Sequence, residues 1–367
     1  MILKHFSATN YRNLLTVNLD FSPNVNCLVG ANGMGKSNVL DAIYYLSFCR
    51  GFSSVQDAAN LNHAADFFML EGDYELETGM THHVNCALKR GTRKRVKVDG
   101  KDLKRISQHV GRIPLVMIAP ADSALILGGS EERRKFMDMV IMQYSTPYLE
   151  ALIQYDNALK QRNAMLKQEC EVDVAVMEVI EEMMSAAGWV IYEARRDFVS
   201  EFLPIFTDIY CKLSGKETEV ASIVYRSHGE RGELLPQLKE CRAKERIVGY
   251  TLHGTHKDDL ELLLNGFAVK REASQGQQKT FFIAMKLAQF MFLKRKGEHR
   301  TPLLLLDDIF DKLDANRVSR IIDYVSSENF GQIFITDTHR EHLDSLLSLS
   351  KCDYKLFSVS NGDVICE

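Results

Sequence analysis

Residues 30–37 constrain the fold of this chain more than any other segment. They have the sequence Gly-Ala-Asn-Gly-Met-Gly-Lys-Ser, which fits the pattern G-x-x-x-x-G-K-[S/T] in full. An apolar strand at residues 26–29 comes before them, and residues 37–46 have the apolar spacing of a helix. A strand, a glycine-rich turn and a helix in this order are typical of a phosphate-binding loop (P-loop). The sequence therefore predicts an α/β fold built around a nucleotide site.

The chemistry expected of this loop follows from its residue types. Glycines let backbone N–H groups turn inward and hold phosphates at the start of a helix. The Lys36 ammonium would bridge the β- and γ-phosphates, and the Ser37 hydroxyl would be a ligand of Mg²⁺. We therefore predict ATP and Mg²⁺ as the cofactors. The predicted ATP contacts in the loop are Gly30, Ala31, Asn32, Gly33, Met34, Gly35, Lys36 and Ser37.

A second element lies far along the chain, where four leucines at 303–306 are followed by Asp307 and Asp308. Such an apolar run favours a strand in a parallel sheet that is covered on both faces. Asp307 would hold Mg²⁺, and Asp308 would orient or deprotonate the attacking water, as in the Walker B motif. A core strand that ends in solvated acids explains the pattern equally well when it is taken alone. The P-loop favours the catalytic interpretation.

A third element precedes the acidic strand. Residues 273–279, Ala-Ser-Gln-Gly-Gln-Gln-Lys, stand at the head of an apolar helix. Their position matches the ABC-type signature, a Ser-x-Gly-Gln turn that clamps the γ-phosphate bound to the opposite subunit. Ser274 would cap the helix and act in catalysis, and Gly276 and Gln277 would contact that nucleotide. The alternative is a capped helix start with no ligand.

Two further segments follow the acidic strand. Residues 311–314, Asp-Lys-Leu-Asp, occupy the position of a D-loop. The apolar strand at 333–336 ends where a switch residue would sense the γ-phosphate. The candidate for this sensor is His339, although it is offset from the usual position directly after the strand.

The composition divides the chain into two parts. Between residues 130 and 210 glycine almost vanishes, and residue types that favour long helices dominate. We predict an ATPase domain of residues 1–125 and 250–367 with an inserted helical domain of residues 126–249. The expected architecture is an ABC-type P-loop ATPase head, a mixed sheet with helices, that carries a helical lobe.

Charge and hydropathy restrict the partners and the compartment. The net charge is −4, so any DNA binding must come from local patches. No apolar run is long enough to span a membrane, and no secretory signal is apparent, so the protein is expected to be cytoplasmic. The cysteines form no Cys-x-x-Cys pair, which argues against a structural zinc site.

One local patch is strongly basic. Residues 89–105 hold nine Lys or Arg and two acids, and they form the best candidate for contact with the DNA backbone. A solvated hairpin tip explains the charge equally well. Residues 133–135 form a second basic cluster, which could instead neutralise nearby acids. The candidates in the first patch are Arg90, Arg93, Lys94, Arg95, Lys97 and Lys101.

Taken together, these blocks resemble the RecF family of DNA-repair ATPases, over nearly the whole chain. Besides residues 275–279 and the two acids, the similar blocks are Asn-Tyr-Arg-Asn at 10–13, Ala-Pro-Ala-Asp at 119–122, the segment 128–138 and Gly-Thr-His-Lys-Asp-Asp-Leu at 254–260. The chain departs from the family pattern at Ala121, Thr255 and Lys257.

The resemblance implies properties that the spacing alone does not. Family members form ATP-dependent homodimers, load at single-strand/double-strand DNA junctions and hydrolyse ATP slowly with stimulation by DNA. They work with RecR and RecO to place a recombinase on gapped DNA. By the same resemblance, Arg12 and Asn13 would lie beside the adenine. Two alternatives remain: an ABC-type ATP-binding subunit of another machine such as a transporter, and a DNA clamp that does not hydrolyse ATP.

Overall fold

The structure is a computed structural model. It describes residues 1–54, 56–168, 173–216, 218–297, 300–309, 315–327, 330–338 and 353–367. The chain forms two compact units. The first contains Met1–Ser123, Lys212–Lys216 and Lys279–Glu367, and the second contains Ala124–Cys211 and Glu217–Gln278.

The first unit holds two sheets. The strands of the first sheet are β1 (Ile2–Tyr11), β2 (Leu14–Asp20), β4 (Phe67–Glu75), β5 (Thr81–Lys89), β6 (Arg95–Val98) and β7 (Lys101–Asp102). They lie in the order β2-β1-β4-β5-β6-β7, and all their described pairings are antiparallel. Strands β5 and β6 form an antiparallel hairpin, and the turn between them carries part of the basic segment 89–105.

The strands of the second sheet are β3 (Val25–Val29), β8 (Leu115–Ile118), β12 (Leu303–Asp307), β13 (Ile333–Asp337), β14 (Tyr354–Ser360) and β15 (Asp363–Cys366). They lie in the order β15-β14-β3-β13-β12-β8, and the sheet is parallel except for its β14–β15 edge pair. Its central strands are buried along most of their length, as expected for strands covered on both faces.

Helix α1 (Lys36–Phe48) contacts strands of both sheets. The sequence predicted one apolar face for this helix, but nearly every side chain is buried, including the polar Asp41 and Ser47. A helix between two sheets has no solvent side, so its polar residues need internal partners. Among the described residues of this unit, the other α-helices are α8 (Gln275–Lys296), which begins in the second unit, and α9 (Ala315–Ser327).

The second unit is mainly helical, as the glycine-poor composition predicted. Two fully or nearly buried arginines tie its helices together: Arg162 pairs with Glu181 and Glu245, and Arg195 pairs with Asp138 and Asp258. The α-helices in the part of this unit that the structure describes are α2 (Ala124–Leu127), α3 (Ser130–Ile141), α4 (Thr146–Leu166), α5 (Val174–Ser214, which ends in the first unit), α6 (Leu234–Val248) and α7 (Val269–Glu272).

The predicted domain boundary at residue 250 differs from the structure. The segment up to Gln278 belongs to the second unit, whereas residues 250–278 were predicted to lie in the ATPase domain. The reason is a small antiparallel sheet in which β10 (Asp259–Leu264) pairs with β9 (Ala221–Arg226) and β11 (Phe267–Ala268). Its strands come from both sides of residue 250, so the hydrogen bonds between them keep the segment with the inserted unit.

Within the described residues, no helix is both long enough and apolar enough to cross a membrane.

Candidate ATP-binding site

The P-loop connects β3 to α1 at the carboxyl edge of the parallel sheet. Gly35 caps α1 with a φ of 116°, a conformation that side chains with a Cβ rarely adopt. At Gly30, a Cβ would lie 2.3 Å from the carbonyl oxygen of Val359. Gly35 is therefore required by its backbone conformation, and Gly30 is required by the close approach of another backbone segment. The loop also has the strand–turn–helix context that the motif needs.

Lys36 is the first residue of α1, and its relative exposure is 4%. Its Nζ donates to the carbonyl oxygens of Gly30 and Ala31, at 2.7 and 3.1 Å. The ammonium therefore lies over its own loop, held by backbone groups. A lysine is rarely buried without such partners, so this placement is consistent with a charge kept for a ligand of the loop.

Sheet order brings the Walker B acids to the P-loop. Strand β13 lies between β3 and β12, all three are parallel, and their carboxyl ends meet at one edge. There the Ser37 hydroxyl donates to Oδ1 of Asp307 at 2.8 Å. A hydroxyl and a carboxylate oxygen are ligand types that Mg²⁺ accepts in nucleotide sites. The two residues predicted as metal ligands are thus in contact, and their chemistry fits Mg²⁺.

Thr336 in β13 is a site residue that the sequence analysis missed. Its hydroxyl donates to Asp307 Oδ1 at 2.7 Å and accepts the backbone N–H of Asp308 at 3.0 Å. The side chain is completely buried. The available sequence signal was a lone threonine in an apolar strand. The parallel register of β12 and β13 is what sets it beside Asp307. Thr336 therefore contacts the carboxylate of Asp307 and the backbone of Asp308.

We expect Thr336→Val to lower ATP hydrolysis by about 10- to 100-fold, because supporting residues around metal ligands have effects of this size. Valine keeps the shape but leaves the Asp308 N–H without its acceptor. Steady-state hydrolysis by purified protein measures the effect, and Thr336→Ser, which keeps the hydroxyl, is the matched control. A valine variant that hydrolyses ATP at the parent rate would show that the hydroxyl does not position the acids.

Asp308 follows β12 with a φ of 44°, in the left-handed region. Non-glycine residues are uncommon there, and Asp and Asn are the side chains that tolerate it best. The turn is fixed by the hydrogen bond from its N–H to Thr336. The predicted water-activating acid thus stands directly beyond the predicted metal ligand, on a defined turn.

Arg12 and Asn13 are joined to the P-loop helix by a hydrogen-bonded chain. Asn13 Nδ2 donates to the carbonyl oxygen of Met34 at 3.2 Å, and Asn38 Nδ2 donates to Asn13 Oδ1 at 2.7 Å. Arg12 Nη1 donates to Asn38 Oδ1 at 3.2 Å. The two residues predicted to lie beside the adenine therefore touch the loop and its helix.

The Arg12 guanidinium also contacts buried Asp41 of α1, Nη2 to Oδ2, at 3.0 Å. Asp41 accepts the Tyr11 hydroxyl and the backbone N–H groups of Phe52 and Ser53. Burial, followed by the Asp41 carboxylate, raises the pKa of Tyr11 well above its ordinary value, so this hydroxyl stays a donor. The carboxylate thus has the partners that a buried charge requires.

The signature segment lies in the second unit up to Gln278. Ser274 is exposed and forms a reciprocal capping box: its Oγ accepts the Gln277 N–H at 3.3 Å, and its N–H donates to Gln277 Oε1 at 2.8 Å. Gln277 Nε2 also donates to Glu219 at 3.0 Å. The predicted cap is confirmed, and Gln277 has a structural role as well as its predicted contact with ATP.

The second basic cluster is engaged within its own unit. Arg133 makes a bidentate pair with Asp259 at 2.7 and 2.9 Å, and Arg134 donates to the Asp258 carbonyl oxygen. Lys135 pairs with two acids of its own helix. These contacts favour the interpretation that the cluster neutralises nearby acids. The predicted D-loop at 311–314 and the switch candidate His339 lie outside the described residues.

Comparison with known proteins agrees with this geometry. Residues 2–361 match the family model described as RecF/RecN/SMC N terminal domain. The chain is 52% identical over 364 residues to the DNA replication and repair protein RecF of Phocaeicola vulgatus, covering 99% of this chain and 98% of that protein. It is 46% identical over 365 residues to the RecF protein of Porphyromonas gingivalis strain ATCC 33277, covering 99% of this chain and 100% of that one.

Solved structures agree as well. A structure of the recombination mediator protein RecF with ATP, in the RecFOR pathway, superposes with a TM-score of 0.88 at 27% identity, over 100% of this chain and 97% of that one. An SMC head bound to the C-terminal winged-helix domain of ScpA superposes with a TM-score of 0.61 at 15% identity, over 100% and 98% of the two chains, and shows the fold alone. The chain therefore belongs to the RecF family, and its fold is that of an ABC- and SMC-type ATPase head.

Proposed function

We propose that this protein is a DNA replication and repair ATPase that binds ATP with Mg²⁺ and dimerises on ATP. It would act in the cytoplasm on gapped DNA and help to load a recombinase. The observation that carries the proposal is the contact of Ser37, Asp307 and Thr336 at the edge of the P-loop, in a chain that matches RecF proteins over its full length. The similar RecF structure with ATP supports the choice of nucleotide.

The proposed chemistry assigns one task to each residue. Lys36 and the loop amides hold the phosphates, Ser37 and Asp307 hold Mg²⁺, and Mg²⁺ supplies charge neutralisation at the phosphates when it is bound. Asp308 orients the attacking water and accepts its proton. Arg12 and Asn13 border the nucleotide through their contacts with the loop.

The second half of each site would come from a second copy of the chain. Ser274 is exposed and capped at the head of α8, so its surroundings leave it accessible to a partner. Ser274, with Gly276 and Gln277, would clamp the γ-phosphate held by Lys36 of the other protomer. RecR- and RecO-like mediators are the proposed protein partners, since the RecF protein in the similar structure is a recombination mediator of the RecFOR pathway.

The comparisons favour DNA repair over a role as the ATP-binding subunit of a transporter, because the curated relatives match the chain from end to end. An experiment distinguishes the proposed ATPase from a DNA clamp that does not hydrolyse ATP. We expect slow ATP hydrolysis that gapped DNA accelerates, measured as phosphate release with gapped duplex, intact duplex or no DNA. ATP binding without hydrolysis on any DNA would contradict the proposed activity.

A further inference from the structure

The basic segment predicted as a DNA surface borders a groove of about 990 Å³ in the first unit. We call it the basic groove. Its lining includes the turn between β5 and β6 and the first two residues of the short 3-10 helix Asp57–Asn60. Its basic lining residues are Lys89, Arg90, Arg93, Lys94, Arg95 and Lys104, against the acids Asp57 and Asp102. Lys97 and Lys101, also predicted as DNA contacts, lie outside this lining.

The lining indicates which part of a nucleic acid would bind. Among the described lining residues none is aromatic, so the groove offers no platform on which bases could stack. Arginine and lysine side chains that are exposed in a groove are suited to backbone phosphates.

Lys94 differs from the exposed basic residues of the groove, since its side chain is only 19% exposed. Its Nζ lies 2.9 Å from Asp57 Oδ2 and donates to the Cys49 carbonyl oxygen at 2.6 Å. It also lies 5.6 Å from the ring centre of Tyr45, whose hydroxyl donates to Asp57 Oδ1 at 2.8 Å. Asp57 is therefore held by Lys94 from the groove and by Tyr45 from α1.

The other end of the same 3-10 helix holds Arg12. Asn60 is completely buried, and its Oδ1 accepts Arg12 Nε and Nη2 at 3.1 and 2.8 Å. Its backbone carbonyl oxygen accepts the Arg12 N–H at 2.9 Å. Arg12 has a φ of 52°, an uncommon conformation that these contacts keep in place. The hydrogen bonds through Asn38 and Asn13 then reach the P-loop carbonyl of Met34.

We propose that the basic groove binds the phosphate backbone of DNA, and that the Lys94–Asp57 ion pair transmits its occupancy to the P-loop. The proposal rests on the proposed function, since it explains how DNA would accelerate hydrolysis. A phosphate in the groove competes with Asp57 for Lys94, exchanging one charge-assisted contact for another. Asp57 is then held by Tyr45 alone, which loosens the 3-10 helix Asp57–Asn60, and the other end of this helix sets Arg12 against the P-loop helix. The basic groove and the P-loop are thus both connected to the 3-10 helix Asp57–Asn60, and energetic coupling requires such a shared element.

The first test replaces Asp57 with asparagine, which keeps an acceptor for Tyr45 but removes the charge that holds Lys94. Phosphate release is measured with and without gapped DNA, and DNA affinity is measured by fluorescence anisotropy. Because the pair is already broken, we expect basal hydrolysis to rise toward the DNA-stimulated parent rate and the ratio of stimulated to basal rates to fall to about 1. Lys94→Gln breaks the same pair from the other side and should also lower the ratio of stimulated to basal rates to about 1. If one of the two variants fails to fold, the other still tests the relay.

Further variants test the groove itself. Arg93→Ala with Arg95→Ala should weaken DNA binding by about 10-fold and reduce its salt dependence, whereas Lys101→Ala, outside the lining, should bind DNA as the parent does. An unchanged ratio in both Asp57→Asn and Lys94→Gln, while the parent is stimulated by DNA, would overturn the relay alone. A parent that binds ATP but shows no stimulation by any DNA would overturn the relay together with the proposed function.

Discussion

Replacing Lys36 with alanine is expected to lower the affinity for ATP by at least about 100-fold, because the β- and γ-phosphates lose the ammonium that compensates their charge. Lys36 is buried over the loop, and the carbonyl oxygens of Gly30 and Ala31 hold its ammonium there. Calorimetric titration with ATP and Mg²⁺ measures the affinity.

The control separates loss of charge from loss of packing. Alanine removes the buried stem as well as the ammonium, whereas Lys36→Met keeps a stem of similar length. Both variants should melt as cooperatively as the parent without nucleotide, and both should fail to gain stability from ATP. If either variant binds ATP with the parent affinity, then the P-loop assignment is wrong.

The second large effect is expected at Asp308, where asparagine should reduce ATP hydrolysis by about 100-fold or more, the range of general base catalysis. Asparagine tolerates the φ of 44° at this position, and its backbone N–H can still donate to Thr336. ATP binding should therefore persist, and the ATP-bound dimer should accumulate. Single-turnover hydrolysis and nucleotide titration, made on the same protein, measure the two effects.

Asp307→Asn provides the contrast. Asp307 accepts the hydroxyls of Ser37 and Thr336, so its replacement should raise the Mg²⁺ concentration needed for activity rather than remove the proton acceptor. Hydrolysis by Asp308→Asn at the parent rate would refute the water-activating role. An equal loss in both variants that excess Mg²⁺ restores would assign both acids to the metal.

The sequence predicted the parts of the site that two motifs identify in combination. A full P-loop and a leucine strand that ends in two acids each specify an element and its position, because parallel strands bring their carboxyl ends to one edge. Thr336 was not recognised since a lone threonine in an apolar strand is common. Only the position of β13 between β3 and β12 gives it a role.

Long-range pairing accounts for the other differences. Residues 250–278 have no composition that marks them as part of the inserted unit, and the pairing of β9 with β10 is what places them there. The basic segment 89–105 also looks uniform in sequence, yet its Lys94 is tied to Asp57 and Tyr45, which lie far from it along the chain. Contacts of this kind depend on tertiary structure, and local charge patterns do not reveal them.

The central claim, a nucleotide site completed by a second copy of the chain, is tested most directly by the solution mass with no nucleotide, with ADP, and with ATP plus Mg²⁺. We predict that only ATP doubles the mass from the 41.7 kDa of one chain, most completely in Asp308→Asn. Ser274→Arg should bind ATP and remain a monomer. An unchanged mass in ATP, in a protein that binds ATP, would contradict the composite site and leave Ser274 as no more than a helix cap.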